Sequence, residues 1–204
     1  MTAARRPDKR EDKRARILES AVKVFAEKGF FGATVAEVAR AAGVADGTIY
    51  LYFKSKDELL LTLFDEKMGE LARLASEAIA GAKTADARLR RLILLHLKVV
   101  EDNPQLASVL ILELRQSSTF LKDYDKSRLS NYLDLIGKVV KDGQAAREFR
   151  GDVSPQTVRR ALFGALDELA LGWLLAGRRF PLSRAAGELA TLFVSGLSAT
   201  SHFK

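Results

Sequence analysis

The segment 34–56 holds the residue types best suited to chemistry, and the chemistry they suit is phosphate binding. Hydroxyl and ammonium groups recur there, and two predicted helix starts offer backbone amides that also favour phosphate. The candidates for phosphate contacts are Thr34, Tyr50, Tyr52, Lys54 and Lys56. Two short helices are predicted in the same segment, and they would give these donors a defined frame.

Four residues at the start of the second of these helices are candidates for contacts with base edges. They are Ala45, Asp46, Gly47 and Thr48. In a helix-turn-helix unit the second helix enters the major groove, and its early residues face the bases. These four residues offer few side chains able to make paired hydrogen bonds with a base. We therefore expect sequence discrimination to come largely from apolar contact, from Thr48 or from DNA shape.

Chemistry of the catalytic or metal-binding kind has little support in the sequence. His96 and His202 are 106 residues apart, and the chain has no cysteine, no Gly-x-Ser-x-Gly and no glycine-rich phosphate loop. Asp167 and Glu168 are sequence neighbours and point to different faces of a helix. His and Glu do not occur together at metal-binding spacing. We therefore predict no catalytic residues, no metal site and no cofactor.

The charge of the chain is concentrated near its beginning. The 204 residues carry a net charge of +7, and residues 1–56 hold 12 basic and 7 acidic side chains against 21 and 19 in residues 57–204. A basic module beside a nearly neutral body suits a nucleic acid or an anionic membrane as partner of that module. A solvated basic tail would give the same pattern.

The composition describes a chain able to fold around a core. Hydrophobic residues make up 48% of it, and none of its apolar runs reaches 18 residues. The first 16 residues lack the apolar stretch of a secretory signal, and the absence of cysteine excludes a disulfide scaffold. We expect a soluble, cytoplasmic protein.

Helical periodicity and helix-start signals run through nearly the whole chain, and no strand pattern appears. Capping boxes at Thr34–Glu37 and Ser55–Glu58, and cap-plus-proline pairs at Asn103–Pro104 and Ser154–Pro155, mark four helix starts. The pattern predicts an all-α protein of nine helices, with approximate bounds 17–28, 34–43, 46–52, 55–79, 84–102, 103–116, 120–143, 154–176 and 183–201.

Three small or apolar residues make the segment 34–56 a candidate helix-turn-helix. Ala39 lets the two helices approach, Gly43 accepts the tight turn between them, and Ile49 seals the second helix onto the first. The outer face of the second helix then remains free. A plain helical hairpin with buried tyrosines is the alternative interpretation of this pattern.

Residues 17–68 closely resemble the DNA-binding domain of TetR-family transcriptional repressors, most densely over residues 43–59. The resemblance implies three N-terminal helices for DNA, a connecting fourth helix, a C-terminal ligand-binding bundle, and a homodimer formed through the last two helices. Two recognition helices about 34–36 Å apart reach successive major grooves, so a quasi-palindromic DNA operator is expected. The predicted domains are a basic arm over 1–10, a helix-turn-helix domain over 11–56, and an effector-binding and dimerisation domain over 57–204.

A narrower resemblance is to the FadR-type branch of this family, which represses genes of fatty-acid degradation. It rests on segments 45–54 and 112–117, on Phe163–Gly164 and Asp167–Glu168, and on Trp173. The branch implies a long-chain acyl-CoA as effector. Another hydrophobic effector, such as a lipophilic drug, is the alternative within the family. A basic helical protein that binds a membrane or a protein partner is the alternative outside it, although we predict no membrane partner.

The middle helices carry more apolar surface than a thin bundle needs, and this surface could line a tunnel for an acyl chain. The predicted lining residues are Leu106, Leu110, Tyr132, Phe163 and Leu166. The polar groups predicted to orient a thioester or pantetheine are His96, Asn103, Glu113, Arg115, Gln116 and Asp167. Ordinary core packing is the alternative for the apolar residues, and a structural ion pair is the alternative for Arg115 with Glu113 or Asp167.

Two apolar stripes on the last two predicted helices are candidates for the dimer interface. The residues are Val158, Leu162, Leu169 and Trp173 on the eighth helix and Leu189, Leu192, Phe193 and Gly196 on the ninth. Small residues such as Gly164 and Gly172 would let two such helices approach closely in a four-helix interface. Packing within one chain would produce the same stripes.

Overall fold

The computed structural model describes residues 9–113 and 129–199, and regular structure in these ranges is helical apart from one isolated bridge between Phe149 and Ser198. The helices are α1 (Lys9–Gly32), α2 (Val35–Ala42), α3 (Asp46–Ile49), α4 (Lys56–Ala80), α5 (Ala85–Asp102), α6 (Pro104–Ser108), α7 (Leu129–Ala145), α8 (Pro155–Leu175) and α9 (Leu182–Leu197). Over the described ranges this confirms the all-α prediction. The predicted end of the sixth helix and start of the seventh lie outside those ranges.

Side-chain caps explain where α2 and α8 begin. The Glu37 amide donates to the Thr34 hydroxyl at 3.2 Å, and the Thr34 amide donates to the Glu37 carboxylate at 2.9 Å. This is the reciprocal capping box that the sequence predicts. At α8 the Thr157 amide donates to the Ser154 hydroxyl at 3.1 Å, just ahead of Pro155 in the first helical turn. Both predicted starts are confirmed.

The caps of α4 and α5 follow the same chemistry with one change. The Glu58 amide donates to the Ser55 hydroxyl at 3.0 Å, whereas the Glu58 carboxylate accepts from the Lys54 amide rather than from Ser55. At α5 the Ala87 amide donates to the Thr84 hydroxyl at 3.1 Å. Each cap satisfies amides that have no partner within their helix.

Helix α1 starts earlier than predicted. It begins at Lys9, whereas the apolar periodicity begins only at Ile17. The sequence does not predict the earlier start, because the basic residues ahead of Ile17 form no apolar stripe. Lys9 and Arg10, predicted as part of an arm, therefore belong to the helix. Gly29 adopts φ 71° and ψ 159°, which breaks the helix where the sequence predicts, and one further turn follows to Gly32.

The sixth helix changes type along its length. The α-helical residues Pro104–Ser108 run directly into a π-helical turn, Val109–Glu113. Asn103 is predicted to cap this helix, but its side-chain amide instead donates backwards to the Val99 carbonyl at 2.9 Å. It therefore closes the end of α5.

The chain divides into two compact units. The described part of unit one consists of residues 9–64 and 108–113, and that of unit two consists of residues 65–107 and 129–199. The first division falls inside the continuous helix α4, eight residues after the boundary predicted at residue 56. The second falls at the end of α6, just before the π-helical turn.

Unit one is built on α1, against which α2 and the π-helical turn pack, with α3 packed on α2. Its most buried side chains include Ile17, Ala21, Phe25, Val38, Ala39, Ile49, Phe53 and Leu59. Burying each larger apolar side chain contributes about 1.5–3 kcal/mol. This core fixes α2 and α3 as one rigid piece.

Unit two has α5 at its centre, packed against α7, α8 and α9. Its core includes Leu89, Leu92, Ile93, Leu97, Ile136, Leu162, Ala170 and Leu182. Among the described helices, none has an apolar stretch long enough to cross a membrane.

The connection between α7 and α8 is pinned to the core of unit two. The Glu148 carboxylate accepts from the Ala85 amide at 2.7 Å, at the start of α5. The Gln144 side chain donates to the carbonyls of Arg150 at 2.9 Å and Val153 at 2.7 Å. These bonds hold α7 and α8 in fixed relation to α5.

Candidate DNA-binding and effector sites

A glycine in the left-handed conformation makes the turn between α2 and α3. Gly43 has φ 65°, its amide donates to the Arg40 carbonyl at 3.1 Å, and the Val44 amide donates to the Ala39 carbonyl at 3.0 Å. Ala39 and Ile49 are almost completely buried at the junction. The roles predicted for Ala39, Gly43 and Ile49 are confirmed, and the segment is a helix-turn-helix.

The start of α3 is open to its surroundings. Ala45, Asp46 and Gly47 are exposed, and Thr48 is half-buried. A Cβ atom on Gly47 would meet no other atom within 4 Å, so the surface can come close to a ligand there. Ala45 is the residue before the helix, and its side chain makes no capping hydrogen bond. Asp46 places its negative charge in the first helical turn.

The turn after α3 presents a tyrosine and a lysine. The helix ends at Ile49 rather than at the predicted Tyr52, because the chain continues as tight turns in which the Tyr52 amide donates to the Ile49 carbonyl at 2.9 Å. Tyr50 is 58% exposed, and Lys54 is exposed as well. Their positions suit contacts with a phosphate backbone.

Two arginines of α1 stack on the aromatic residues of this turn. The Arg10 guanidinium lies 5.9 Å from the centroid of the half-buried Tyr52 ring, and the Arg14 guanidinium lies 5.5 Å from that of Phe53. Neither arginine is among the predicted DNA-binding residues. The basic run is visible in the sequence, but only a helical continuation of α1 places its arginines, four residues apart, beside these rings.

Thr34 is committed to the start of α2. Besides accepting from the Glu37 amide, its hydroxyl donates to the Glu37 carboxylate at 3.0 Å. The Lys28 ammonium also hydrogen-bonds this carboxylate, and these bonds, with that from Lys28 the largest cause, lower the pKa of Glu37 to about 2. A phosphate contact by Thr34 would have to replace its bond to Glu37.

Lys56 has a different role from the predicted one. Its ammonium donates to the carbonyl oxygens of Phe30 at 2.6 Å, Ala33 at 2.8 Å and Phe31 at 3.3 Å, and it lies 4.6 Å from the centroid of the Phe30 ring. An ammonium has three donors, and these carbonyls belong to the end of α1, where helical partners are missing. The Lys56 donors therefore cap the end of α1, and a phosphate contact by Lys56 would have to replace these bonds.

Three predicted effector residues meet inside unit two. His96 on α5, Tyr132 on α7 and Phe163 on α8 have ring centroids 5.6–6.4 Å apart. His96 Nδ1 lies 3.0 Å from the Tyr132 hydroxyl, and both residues are buried. Desolvation lowers the pKa of His96 to about 4 and raises that of Tyr132. Within this cluster His96 and Tyr132 form a neutral polar pair. Such a pair could orient a polar group, but it carries no positive charge for CoA phosphates.

The remaining predicted effector residues are spread more widely. Leu166 is completely buried on α8, and Leu106 and Asp167 are half-buried in unit two. Leu110 is half-buried in the π-helical turn of unit one. Arg115 and Gln116 lie outside the described residues.

Two of the predicted polar effector residues make hydrogen bonds at helix ends. The exposed Asn103 uses its amide to close α5. The Glu113 carboxylate, on the π-helical turn, accepts from the Phe30 amide at 2.8 Å. This bond, within unit one, stabilises the end of α1. Sequence spacing missed this bond because the partners are 83 residues apart.

The predicted dimer residues separate into two groups. Val158, Leu162, Trp173 and Leu189 are buried within unit two. The Trp173 indole also donates to the Phe180 carbonyl at 3.0 Å. Their own chain covers these four side chains, so packing within one chain accounts for this part of the stripes. Leu169 and Phe193 are half-buried, Gly196 is exposed, and Leu192 is 68% exposed. Leu175, 71% exposed, was not predicted.

Comparison with known proteins follows this architecture. Residues 17–63 match the family described as bacterial regulatory proteins, tetR family, and residues 64–196 match the C-terminal region of YsiA-like proteins. The chain belongs to the TetR family of bacterial transcriptional regulators. It is 35% identical over 181 residues to the fatty acid metabolism regulator protein of Bacillus subtilis (strain 168), covering 89% of this chain and 93% of that protein.

Solved structures give the same relationship. The fatty acid degradation regulator FadR from Bacillus halodurans has a TM-score of 0.87 and 34% identity, covering 95% of this chain and 98% of that one. FadR from Bacillus subtilis in complex with stearoyl-CoA has a TM-score of 0.85 and 34% identity, covering 90% and 98%. Within its family the chain is thus related to the FadR regulators, which are transcriptional regulators rather than enzymes.

Proposed function

We propose that this protein is a cytoplasmic homodimeric repressor that binds a quasi-palindromic operator and is released from it by a long-chain acyl-CoA. Its target genes would be those of fatty-acid degradation. The observation that carries the proposal is the likeness to the stearoyl-CoA complex of Bacillus subtilis FadR, which covers 90% of this chain at 34% identity.

The DNA part of the proposal rests on the open face of α3 and the turn that follows it. Ala45, Asp46, Gly47 and Thr48 would meet base edges, and Tyr50, Lys54 and the hydroxyl of Thr34 would meet phosphates. Tyr52, stacked with Arg10, would join the phosphate contacts as part of a cationic pair. Lys56 has no place in this set, because its donors are used within α1.

The effector part rests on unit two. The apolar residues around His96, Tyr132 and Phe163 would surround the acyl chain, and the imidazole and phenol would hydrogen-bond its thioester end. Asp167 and Leu106 would extend this lining. Arg115 and Gln116 stay in the proposal from the sequence, as groups for the polar part of the ligand.

The dimer part rests on α8 and α9. Leu192 and Leu175 are largely exposed, and a partner that covered them would remove their apolar surface from water. Gly164 and Gly196 are also exposed, and a Cβ atom at either would meet nothing within 4 Å, so a second copy could approach closely. A symmetric partner using the same two helices would form a four-helix interface.

Release follows from linkage between the two ligands. An acyl-CoA that binds better to the form of the dimer unable to match both half-sites shifts the population to that form. Operator binding and acyl-CoA binding must then weaken each other by the same factor.

The test begins with an operator selected from random-sequence duplexes by the purified, delipidated protein. Operator affinity is then measured by fluorescence anisotropy with stearoyl-CoA, with free CoA and with stearate. We expect stearoyl-CoA alone to weaken operator binding, by about 5–150-fold. Isothermal titration should give one stearoyl-CoA per subunit. If operator affinity does not change with stearoyl-CoA but changes with another lipophile, the protein is still a ligand-responsive repressor, and the proposal that its effector is an acyl-CoA is wrong.

A further inference from the structure

The last turn of α1 is held at both ends by charged side chains from distant parts of the chain. Gly29 breaks the helix with φ 71° and ψ 159°, so the Phe30 amide leaves the helical hydrogen-bond ladder. That amide donates to the Glu113 carboxylate at 2.8 Å. The carbonyls of Phe30 and Ala33 accept from the Lys56 ammonium at 2.6 and 2.8 Å. We call residues 29–33 the α1 bend.

The charges suit the ends that they hold. A carboxylate stabilises free amides at the beginning of a helical turn, and an ammonium stabilises free carbonyls at its end. The Phe30 ring anchors the bend in the core of unit one, because it is buried and meets the Phe25 ring edge-on at a centroid distance of 5.5 Å. Phe25 lies on α1, which carries α2 and through it α3. The bend is thus part of the rigid body that would present α3 to DNA.

Both holding residues lie on elements that lead into unit two. Lys56 is the first residue of α4, which continues into unit two from Asp65 onwards. Glu113 is the last residue of the π-helical turn, which continues α6, and residues up to Ala107 belong to unit two. Two segments that continue along the chain into unit two, α4 and the π-helical turn with α6, therefore each hydrogen-bond the same five-residue bend.

Lys56 and Glu113 contact the bend in different ways. The Lys56 ammonium makes three hydrogen bonds and stands over the Phe30 ring, whereas Glu113 meets the bend at one amide. Glu113 also sits in a π-helical turn, a form that is rare and occurs often at functional sites. A return of this turn to α-helical geometry would change the direction of the Glu113 side chain. A change in the geometry of α6 would reach Glu113 before Lys56, because Glu113 lies on the direct continuation of α6 and Lys56 lies on α4.

We propose that Glu113 is a positioning residue that holds the α1 bend in its DNA-competent arrangement, and that effector binding weakens operator binding by withdrawing this carboxylate. The inference rests on the proposed function for the identity of the effector. It assigns Glu113 to transmission between the sites and not to effector contact.

The experiment compares the full-length protein with Glu113→Ala, Glu113→Gln and the control Glu27→Ala. Glu27 is an exposed carboxylate on the same helix as the bend. Operator affinity is measured without and with saturating stearoyl-CoA, and stearoyl-CoA affinity is measured on the free protein. The ratio of the two operator affinities is the coupling ratio.

We expect Glu113→Ala to bind the operator about tenfold more weakly without effector, since the bend loses a hydrogen bond to a charged group. Its coupling ratio should fall about tenfold, while its stearoyl-CoA affinity stays within about threefold of wild type. Glu113→Gln keeps an acceptor for the Phe30 amide and should recover part of both losses. Glu27→Ala should match wild type. Circular dichroism and urea unfolding establish that each variant is folded.

Three outcomes would overturn the inference. A Glu113→Ala coupling ratio and operator affinity equal to those of wild type would mean that the bond transmits nothing. Loss of stearoyl-CoA affinity in the free variant would make Glu113 an effector contact after all. Equal losses in the Glu27→Ala variant would remove any special role of the bend. If wild-type protein ignores stearoyl-CoA, the proposed effector fails, and the operator affinity of Glu113→Ala still decides the positioning role.

Discussion

His96 Nδ1 and the Tyr132 hydroxyl lie 3.0 Å apart, and both side chains are buried in the apolar core of unit two. A buried polar pair that satisfies its own hydrogen bond costs little, but either partner alone would be expensive to bury. The hydroxyl must be neutral, since burial raises the pKa of Tyr132. The imidazole must also be neutral, since desolvation lowers the pKa of His96 to about 4.

This pair makes stability depend on pH in a definite direction. In the unfolded chain His96 takes up a proton near pH 6.5, whereas in the folded protein it does so only near pH 4. The unfolded state therefore binds more protons between these values, and the His96 contribution to stability is complete above pH 6.5 and is lost as pH falls towards 4. From pH 7.5 to pH 5 the loss should be about 2 kcal/mol. Urea unfolding of wild type and His96→Gln measures it.

The glutamine variant removes this titration and keeps a polar partner for Tyr132. The difference between the two proteins in unfolding free energy should shrink by the same amount as pH falls from 7.5 to 5. A difference that does not change with pH would mean that the folded protein keeps the pKa of His96 near its ordinary value.

Lys54 and Lys56 are two residues apart, and the structure gives them opposite roles. Lys56→Met should remove three hydrogen bonds from the end of α1 and destabilise unit one by about 1–3 kcal/mol. Lys54→Met should leave stability unchanged, because the Lys54 side chain is exposed. In operator binding, Lys54→Met should make the fall of log affinity with log salt shallower, reducing the magnitude of its slope by about one. Urea unfolding and anisotropy at several salt concentrations check both variants. Equal stability of the two would refute the assignment of Lys56.

The comparison of these lysines shows what sequence can and cannot predict in this chain. The Thr34–Glu37 capping box, the Ser55 cap, Gly43 and the burial of Ile49 depend on neighbours within a few residues, and the sequence predicts them correctly, although the return bond of the second box comes from Lys54. Lys56 caps a helix that ends about 25 residues earlier, and Glu113 reaches back 83 residues. Local spacing carries no information on such partners.

The stripes on α8 and α9 show a second limit. Helical periodicity identifies an apolar face but not what covers it. Trp173 and Leu192 both lie on predicted interface stripes, yet Trp173 is buried by its own chain and bonded to Phe180, whereas Leu192 is exposed. Only tertiary packing distinguishes them. In α1 the helix itself is missed, because the basic residues before Ile17 are helical but form no apolar stripe that would predict a helix.

Tyr50 should contribute to DNA binding without contributing to the fold. Its side chain is 58% exposed, so Tyr50→Phe removes a hydroxyl that the core does not use. Losing one hydrogen bond to a phosphate should weaken operator binding by roughly 1.5–3 kcal/mol, with unchanged unfolding free energy. Anionic vesicles provide the control for a membrane-binding protein. Vesicle binding unaffected by Tyr50→Phe, together with unchanged operator affinity, would favour that alternative.

Gly143 is required by its surroundings in unit two. A Cβ atom there would lie 2.4 Å from the Phe149 ring and 2.7 Å from the Ala85 Cβ, and Ala85 begins a rigid helix. Gly143→Ala should therefore destabilise the protein by about 1–3 kcal/mol. Gly151→Ala is the matched control, because a Cβ atom at Gly151 meets nothing within 4 Å. Thermal and urea unfolding should show a loss for the first variant and no loss for the second.

Leu192 offers a direct test of the dimer. If α8 and α9 form the interface, Leu192→Glu places a charge where a large apolar side chain, 68% exposed in one chain, would be buried. Dimerisation should weaken by at least about thirtyfold, the effect of losing a central interface residue. Operator binding should weaken with it, because two half-sites are then met by separate subunits. Leu94→Glu makes the same change at an exposed leucine on α5, where no partner is proposed. Sedimentation equilibrium of both variants decides the matter: dissociation by Leu94→Glu, with Leu192→Glu still dimeric, would move the interface away from α8 and α9.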